Sequence, residues 1–181
     1  QLTKAIYESD SIKPQGNFDD ISSISFNEKD LNSALTDLIS KIGENIQIIS
    51  YKKYHSENSI FINYLHNKYN SSCSKIASVV EISTNDSKKA SEISDDLKVI
   101  AMQVSAMKPM GLNEESIDPK VLADEKDIIL KQIENTPDDK KEQIVKGKLS
   151  KFIKENTLMG QALITDPKNT VEHYISDLSK S

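Results

Sequence analysis

The hydrophobic period of this chain changes from helical to strand-like within three residues, and that change does most to fix its fold class. Before Gly43-Glu44-Asn45, the residues Leu31, Leu35, Leu38, Ile39 and Ile42 recur at spacings of three and four, one face of an α-helix. After it, Ile46, Ile48 and Ile49 are β-branched and favour a pleated strand. Gly43 suits the end of the helix, because a left-handed final residue carries no steric penalty for glycine. A chain that alternates the two periods in this way builds a mixed α+β domain.

Downstream, three segments read as strands: residues 46–54, 59–66 and 75–83. Their connectors are short and polar, so a small antiparallel three-stranded sheet is expected, covered by helices. Upstream, residues 10–25 read as loop and a helix is expected over 27–42. Residues 86–107 form the clearest helix, capped by Asp86, with Ala90, Ile93, Leu97, Ile100, Ala101 and Val104 in one stripe. Three later helix starts share one punctuation, a capping residue followed by proline: Asp118-Pro119, Thr136-Pro137 and Asp166-Pro167. The first two predict an antiparallel helical hairpin that projects from the sheet and invites pairing with a second copy. The run Thr157–Ile164 reads as extended.

Composition excludes several functions. A formal charge of −5, with all 23 basic residues lysine, argues against a nucleic-acid surface and removes bidentate arginine recognition. No run approaches the about 20 apolar residues of a membrane span. The single cysteine, Cys73, rules out an internal disulfide and a multi-cysteine zinc site. No metal or nucleotide motif occurs, so neither a cofactor nor a catalytic residue is assigned. Cys73 and His66 flank one connector, and a loop cysteine near a surface histidine describes them better than a nucleophile pair. Gln1 in place of methionine, with no signal-like segment, points to a processed product or an excised fragment. The Lys, Ile and Asn bias favours an organelle matrix, mitochondrial or plastid, with an AT-rich bacterial cytoplasm as the alternative.

Two features remain as candidate sites. In "INYLHN", Tyr64 and His66 fall on one face at a strand end, where aromatic and imidazole groups suit a protein contact as well as ordinary sheet-edge packing. In the helical hairpin, Leu122, Ile129 and Ile133, then Ile144, Val145 and Phe152, form apolar stripes.

The segments "LISKIGENIQI", "YLHN", "KIASVVEI", "KVIAMQVSAMKP", "VLADEKDIIL" and "IVKGKLSKFIKENTLMGQALI" resemble, in this order, the C-terminal half of the elongation factor Ts family. The family exchanges guanine nucleotide on elongation factor Tu. The resemblance implies a helical or loop segment over 1–45 that ends an upstream subdomain. It implies a core α+β subdomain over 46–110 and 156–181, and an inserted dimerisation hairpin over 111–155. It implies that Tyr64, Leu65, His66 and Asn67 face elongation factor Tu. It implies homodimerisation through the hairpin residues Leu122, Ile129, Ile133, Ile144, Val145 and Phe152, with neither nucleic acid nor membrane as a partner. The family glycine after the histidine is Asn67 here, and the usual Pro-Phe is Ala162-Leu163. The Thr-Asp-Phe-Val motif, which in the family loosens GDP, does not occur in residues 1–181. The resemblance thus implies a fragment that binds and pairs without the lever.

Overall fold

A computed structural model describes residues 2–180, apart from the side chain of Ser87. It divides into two compact units, the first ending at Glu57 and the second beginning at Asn58.

In the first unit, helix α1 (Leu2–Glu8) precedes strands β1 (Gln15–Gly16), β2 (Ser25–Phe26) and β3 (Lys29–Asp30), helix α2 (Leu31–Ile42) and strand β4 (Tyr51–Lys52). Ile6, Ile21, Ile24, Leu31 and Tyr51 form its core, with Phe18, Phe26 and Ile48 packed against them. Gly43 ends α2 in the left-handed conformation expected, φ 73°, its N–H donating to the Ile39 carbonyl at 2.8 Å. The start of that helix differs. Asn27 and Glu28 both have positive φ, so residues 25–30 form a tight β2–β3 hairpin and α2 begins only at Leu31. Asp30 caps it, accepting from the Ser33 N–H at 2.8 Å.

The expected strand over 46–54 shrinks to Tyr51–Lys52, which pairs antiparallel with Gln15–Gly16 rather than with the segment at 59. Its anchoring explains why. Tyr51 is committed to the first core, the Lys53 N–H donates to the Pro14 carbonyl at 2.6 Å, and the Lys53 ammonium donates to the Ser9 carbonyl at 2.8 Å. Ile49, with no ladder to join, is 73% exposed. Strand propensity expresses itself only where a neighbour supplies a ladder.

In the second unit, β5 (Ser59–Asn70) and β6 (Cys73–Ser83) form a long antiparallel hairpin, two-stranded among the described residues. Helices α3 (Ser87–Glu92) and α4 (Ser94–Met107) follow, interrupted at Ile93 where a single helix was expected. Asp86 caps α3 as its sequence position suggests, accepting from the N–H groups of Lys88 and Lys89. Leu97 and Ile100 of α4 pack with Leu158, Leu163 and Val171, and Ile60, Ile62, Val80 and Ile82 of the hairpin close over them.

Helices α5 (Pro119–Gln132) and α6 (Asp138–Asn156) make the antiparallel hairpin, with Asp118 capping α5 ahead of its proline. Thr136 does not cap α6; Pro137 occupies that position and makes no side-chain capping bond. The chain returns through β7 (Ala162–Leu163) and β8 (Asp166–Thr170) to α7 (Val171–Lys180). The expected extended run over 157–164 is therefore mostly turn. Asp166-Pro167 opens an edge strand, where proline's missing N–H does no harm, and the helix starts at Val171.

Candidate functional site

Strand register places the four residues of the strand end. Ile60, Ile62, Tyr64 and His66 share one face by alternation and lie opposite Ile82, Val80, Ser78 and Ile76. Helix α4 covers this face as far as Ser78, which is buried and donates its hydroxyl to the Ala101 carbonyl at 2.5 Å while accepting from Ser105 at 2.9 Å. One step further, Ile76 is 40% exposed. The helical cover therefore stops between the Tyr64–Ser78 and His66–Ile76 pairs, and the aromatic pair straddles its edge. The Tyr64 hydroxyl lies 3.2 Å from His66 Nδ1, with ring centroids 6.0 Å apart. Each ring thus restrains the other.

Leu65 points to the opposite face, half-buried, in alternation with Phe61 and Asn63. Asn67 has φ 51°, a left-handed residue inside a strand. Asparagine is among the few residues other than glycine that enter this region readily. Asn67 therefore keeps the backbone turn that a glycine would provide, and adds an exposed amide to the patch. Cys73 is exposed and pairs with Asn70, three positions along β6 from Ile76. At a rise of roughly 3.3 Å per residue, about 10 Å separates the Cys73 and His66 levels, which rules out a nucleophile pair in this conformation.

The second candidate surface is the helical hairpin. Ile129, Ile133 and Val145 are buried together, with Ile144 and Leu149 against them, so these residues hold α5 to α6. Leu122 and Phe152 are half-buried. A cross-link from the Lys148 ammonium to Gln132 Oε1 at 2.8 Å closes the polar side. The apolar residues presented to solvent are Ile128 and Leu130, 48% and 39% exposed, which the stripe reading passes over because they lie off the buried spacing. Lys141 bonds Asp138 at 2.8 Å and holds its carboxyl below the usual range.

Sequence reasoning also missed a buried polar junction. Gln103 is fully buried; its Nε2 donates to the Ala162 carbonyl at 3.1 Å and to Gln161 Oε1 at 3.2 Å, and its Oε1 accepts from the Ile164 N–H at 2.8 Å. A glutamine inside the apolar stripe of α4 was the available signal. Among the described residues no group of three or more His, Cys, Asp or Glu could hold a metal ion, and no helix is long and apolar enough to cross a membrane.

The sequence matches the Elongation factor TS family over residues 1–181. It is similar to Elongation factor Ts of Alkalilimnicola ehrlichii, 35% identical over 147 residues, covering 80% of this chain and 46% of that protein. Elongation factor Ts of Nitratiruptor sp. is 36% identical over 146 residues, 79% of this chain and 46% of that protein. That of Bartonella quintana is 29% identical over 175 residues, 94% of this chain and 56% of that protein. The chain spans about half the length of the curated relatives it matches. The match covers both units, the strand end and the helical hairpin alike, so the chain belongs to the elongation factor Ts family.

Proposed function

We propose that this chain serves guanine-nucleotide exchange on elongation factor Tu during translation elongation, by supplying partner binding and self-association. Family membership is the single observation that carries this reading. The Tyr64–Asn67 strand end is the contact patch: a restrained aromatic–imidazole pair beside exposed Ile76 at the limit of the helical cover. The hairpin within residues 111–155 is the dimerisation domain. Ile129, Ile133 and Val145 build it, while Ile128, exposed on one flank of that seam, offers the apolar contact that a second copy covers. The organelle-matrix placement has its support in the Lys, Ile and Asn bias of the sequence alone. No covalent chemistry enters the reading. A protein that prefers the nucleotide-free state of its partner must, by linkage, weaken GDP binding in proportion.

The test is association of this chain with nucleotide-free and GDP-bound elongation factor Tu, by light scattering on a sizing column, with labelled-GDP release followed on the same samples. Binding favouring the nucleotide-free form is expected, with at most slight acceleration of release, because residues 1–181 hold no Thr-Asp-Phe-Val motif. The pair Tyr64→Ala and His66→Ala should weaken association about 10-fold or more, as loss of a central aromatic anchor does. A stable dimer indifferent to elongation factor Tu in both states would instead leave a structural pairing module.

A further inference from the structure

We propose that the buried amide pair Gln103–Gln161 is a positioning device that fixes the angle of the α5–α6 hairpin relative to the β5–β6 sheet. A helix ends with carbonyls that have no partner within it, and these must be satisfied from outside. At the end of α6 they are spent on the body of the unit. The Gln161 Nε2 donates to the Glu155 carbonyl at 3.0 Å, and the Met110 N–H donates to the Asn156 carbonyl at 2.8 Å. Gln161 in turn accepts from Gln103, whose remaining bonds hold the Ala162 carbonyl and the Ile164 N–H. Gln103 stands on α4, the helix seated on the sheet, and flanks buried Ile100 and Ala101. A continuous hydrogen-bonded relay therefore runs from the sheet-covering helix to the last turn of the projecting hairpin.

The root leaves little freedom elsewhere. Leu158 and Met159 donate to the carbonyls of Gly111 and Leu112 at 2.9 and 3.0 Å, so the outgoing and returning chains are tied to each other. A Cβ on Gly160 would lie 2.8 Å from the Lys154 Cα, and one on Gly111 would lie 2.9 Å from the Ser116 carbonyl oxygen. Each glycine thus lets the chain pack tightly beside its own neighbouring turn. Thr157, Gln161 and Gln103 are each nine-tenths or more buried, so water cannot substitute for a lost partner without opening the joint. Because the relay is buried, removing one amide leaves its partners a choice between burial unpaired and reorientation of the hairpin.

The device is independent of any partner, and so is its test. Spin labels are placed at Asn135→Cys in the turn of the hairpin and Glu81→Cys on β6, in a Cys73→Ser background, and their distance distribution is measured in the full chain. One narrow peak is expected. Gln161→Met, which breaks only the link to Glu155 and the bond from Gln103, should widen the peak at least twofold or shift its mean. Gln103→Met should do the same where it folds. Ile100→Val, which loosens the same core without touching the relay, should leave the width unchanged. A broad parent distribution, an unchanged one in Gln161→Met, or equal broadening in Ile100→Val would each overturn the proposal.

Discussion

At the level of single residues, backbone conformation decides the sign of a substitution. Gly43 has φ 73° and open space around the position a Cβ would take. Gly43→Ala therefore meets conformational strain and no clash, and should destabilise the first unit by about 1 kcal/mol. Glu28 has φ 65° in the second position of the β2–β3 turn, where glycine is preferred. Glu28→Gly should act in the opposite direction, gaining about 0.5 kcal/mol after the greater freedom of the unfolded glycine is subtracted. Amide exchange of Ile24 and Leu31, both in the first core, measures the two effects. Asp30 adds a pH dependence. Hydrogen bonds from the Ser33 N–H and hydroxyl hold its carboxyl below the ordinary value in the folded state. The stabilisation is therefore complete above the unfolded value and is lost as pH falls through the lower, folded one. Asp30→Asn keeps an acceptor but cannot titrate, so the acid limb contributed by this cap should vanish from the exchange profile below about pH 4.

At the level of elements, what could be read in advance depended on whether local sequence alone decides the structure. The stop at Gly43, the cap at Asp86 and the Asp118-Pro119 start need no distant partner, and each occurs as read. The segment over 46–54 needed a partner, and its β-branched residues could not disclose that Tyr51 would join the core beside Ile6 and Ile21. The Asn-Glu turn at 27–28 lacks the glycine that announces such hairpins, and Asp166-Pro167 has the form of a helix start while serving an edge strand. The strand end could be located from alternation, but the limit of its helical cover depends on where α4 lies over the sheet. In the helical hairpin, stripe spacing found the seam and overlooked the surface. Ile129→Ala should therefore destabilise α5 and α6 by about 2–5 kcal/mol, as a truncation in a buried seam does. Ile128→Ser should change their stability by no more than about 0.5 kcal/mol. If exposed Ile128 carries self-association, the same Ile128→Ser variant shifts the sedimentation profile toward monomer. Amide exchange and sedimentation velocity on the two variants separate the roles; an Ile128→Ser chain that associates like the parent would remove this residue from the pairing surface.

At the level of the whole molecule, the two larger of the three buried clusters draw their residues from opposite sides of one boundary. Every residue of the first, from Ile6 to Tyr51, precedes Glu57, and every residue of the second, from Leu97 to Val171, follows Asn58. A methylene removed from one cluster leaves a cavity among that cluster's side chains. Ile21 and Ile100 are each fully buried, one in each cluster. Ile21→Ala should lower the opening free energy of the first unit by about 2–5 kcal/mol, and Ile100→Ala should do the same for the second. Sites that share no partners add, so the double variant should show each loss in its own unit with a coupling below about 0.5 kcal/mol. Native-state amide exchange resolves the two sets of amides in a single sample. A coupling well above that value would mean that the two sets of amides open together. Independence would mean that a change in the unit after Asn58, which carries the strand end and the helical hairpin, leaves the core that holds α2 unchanged.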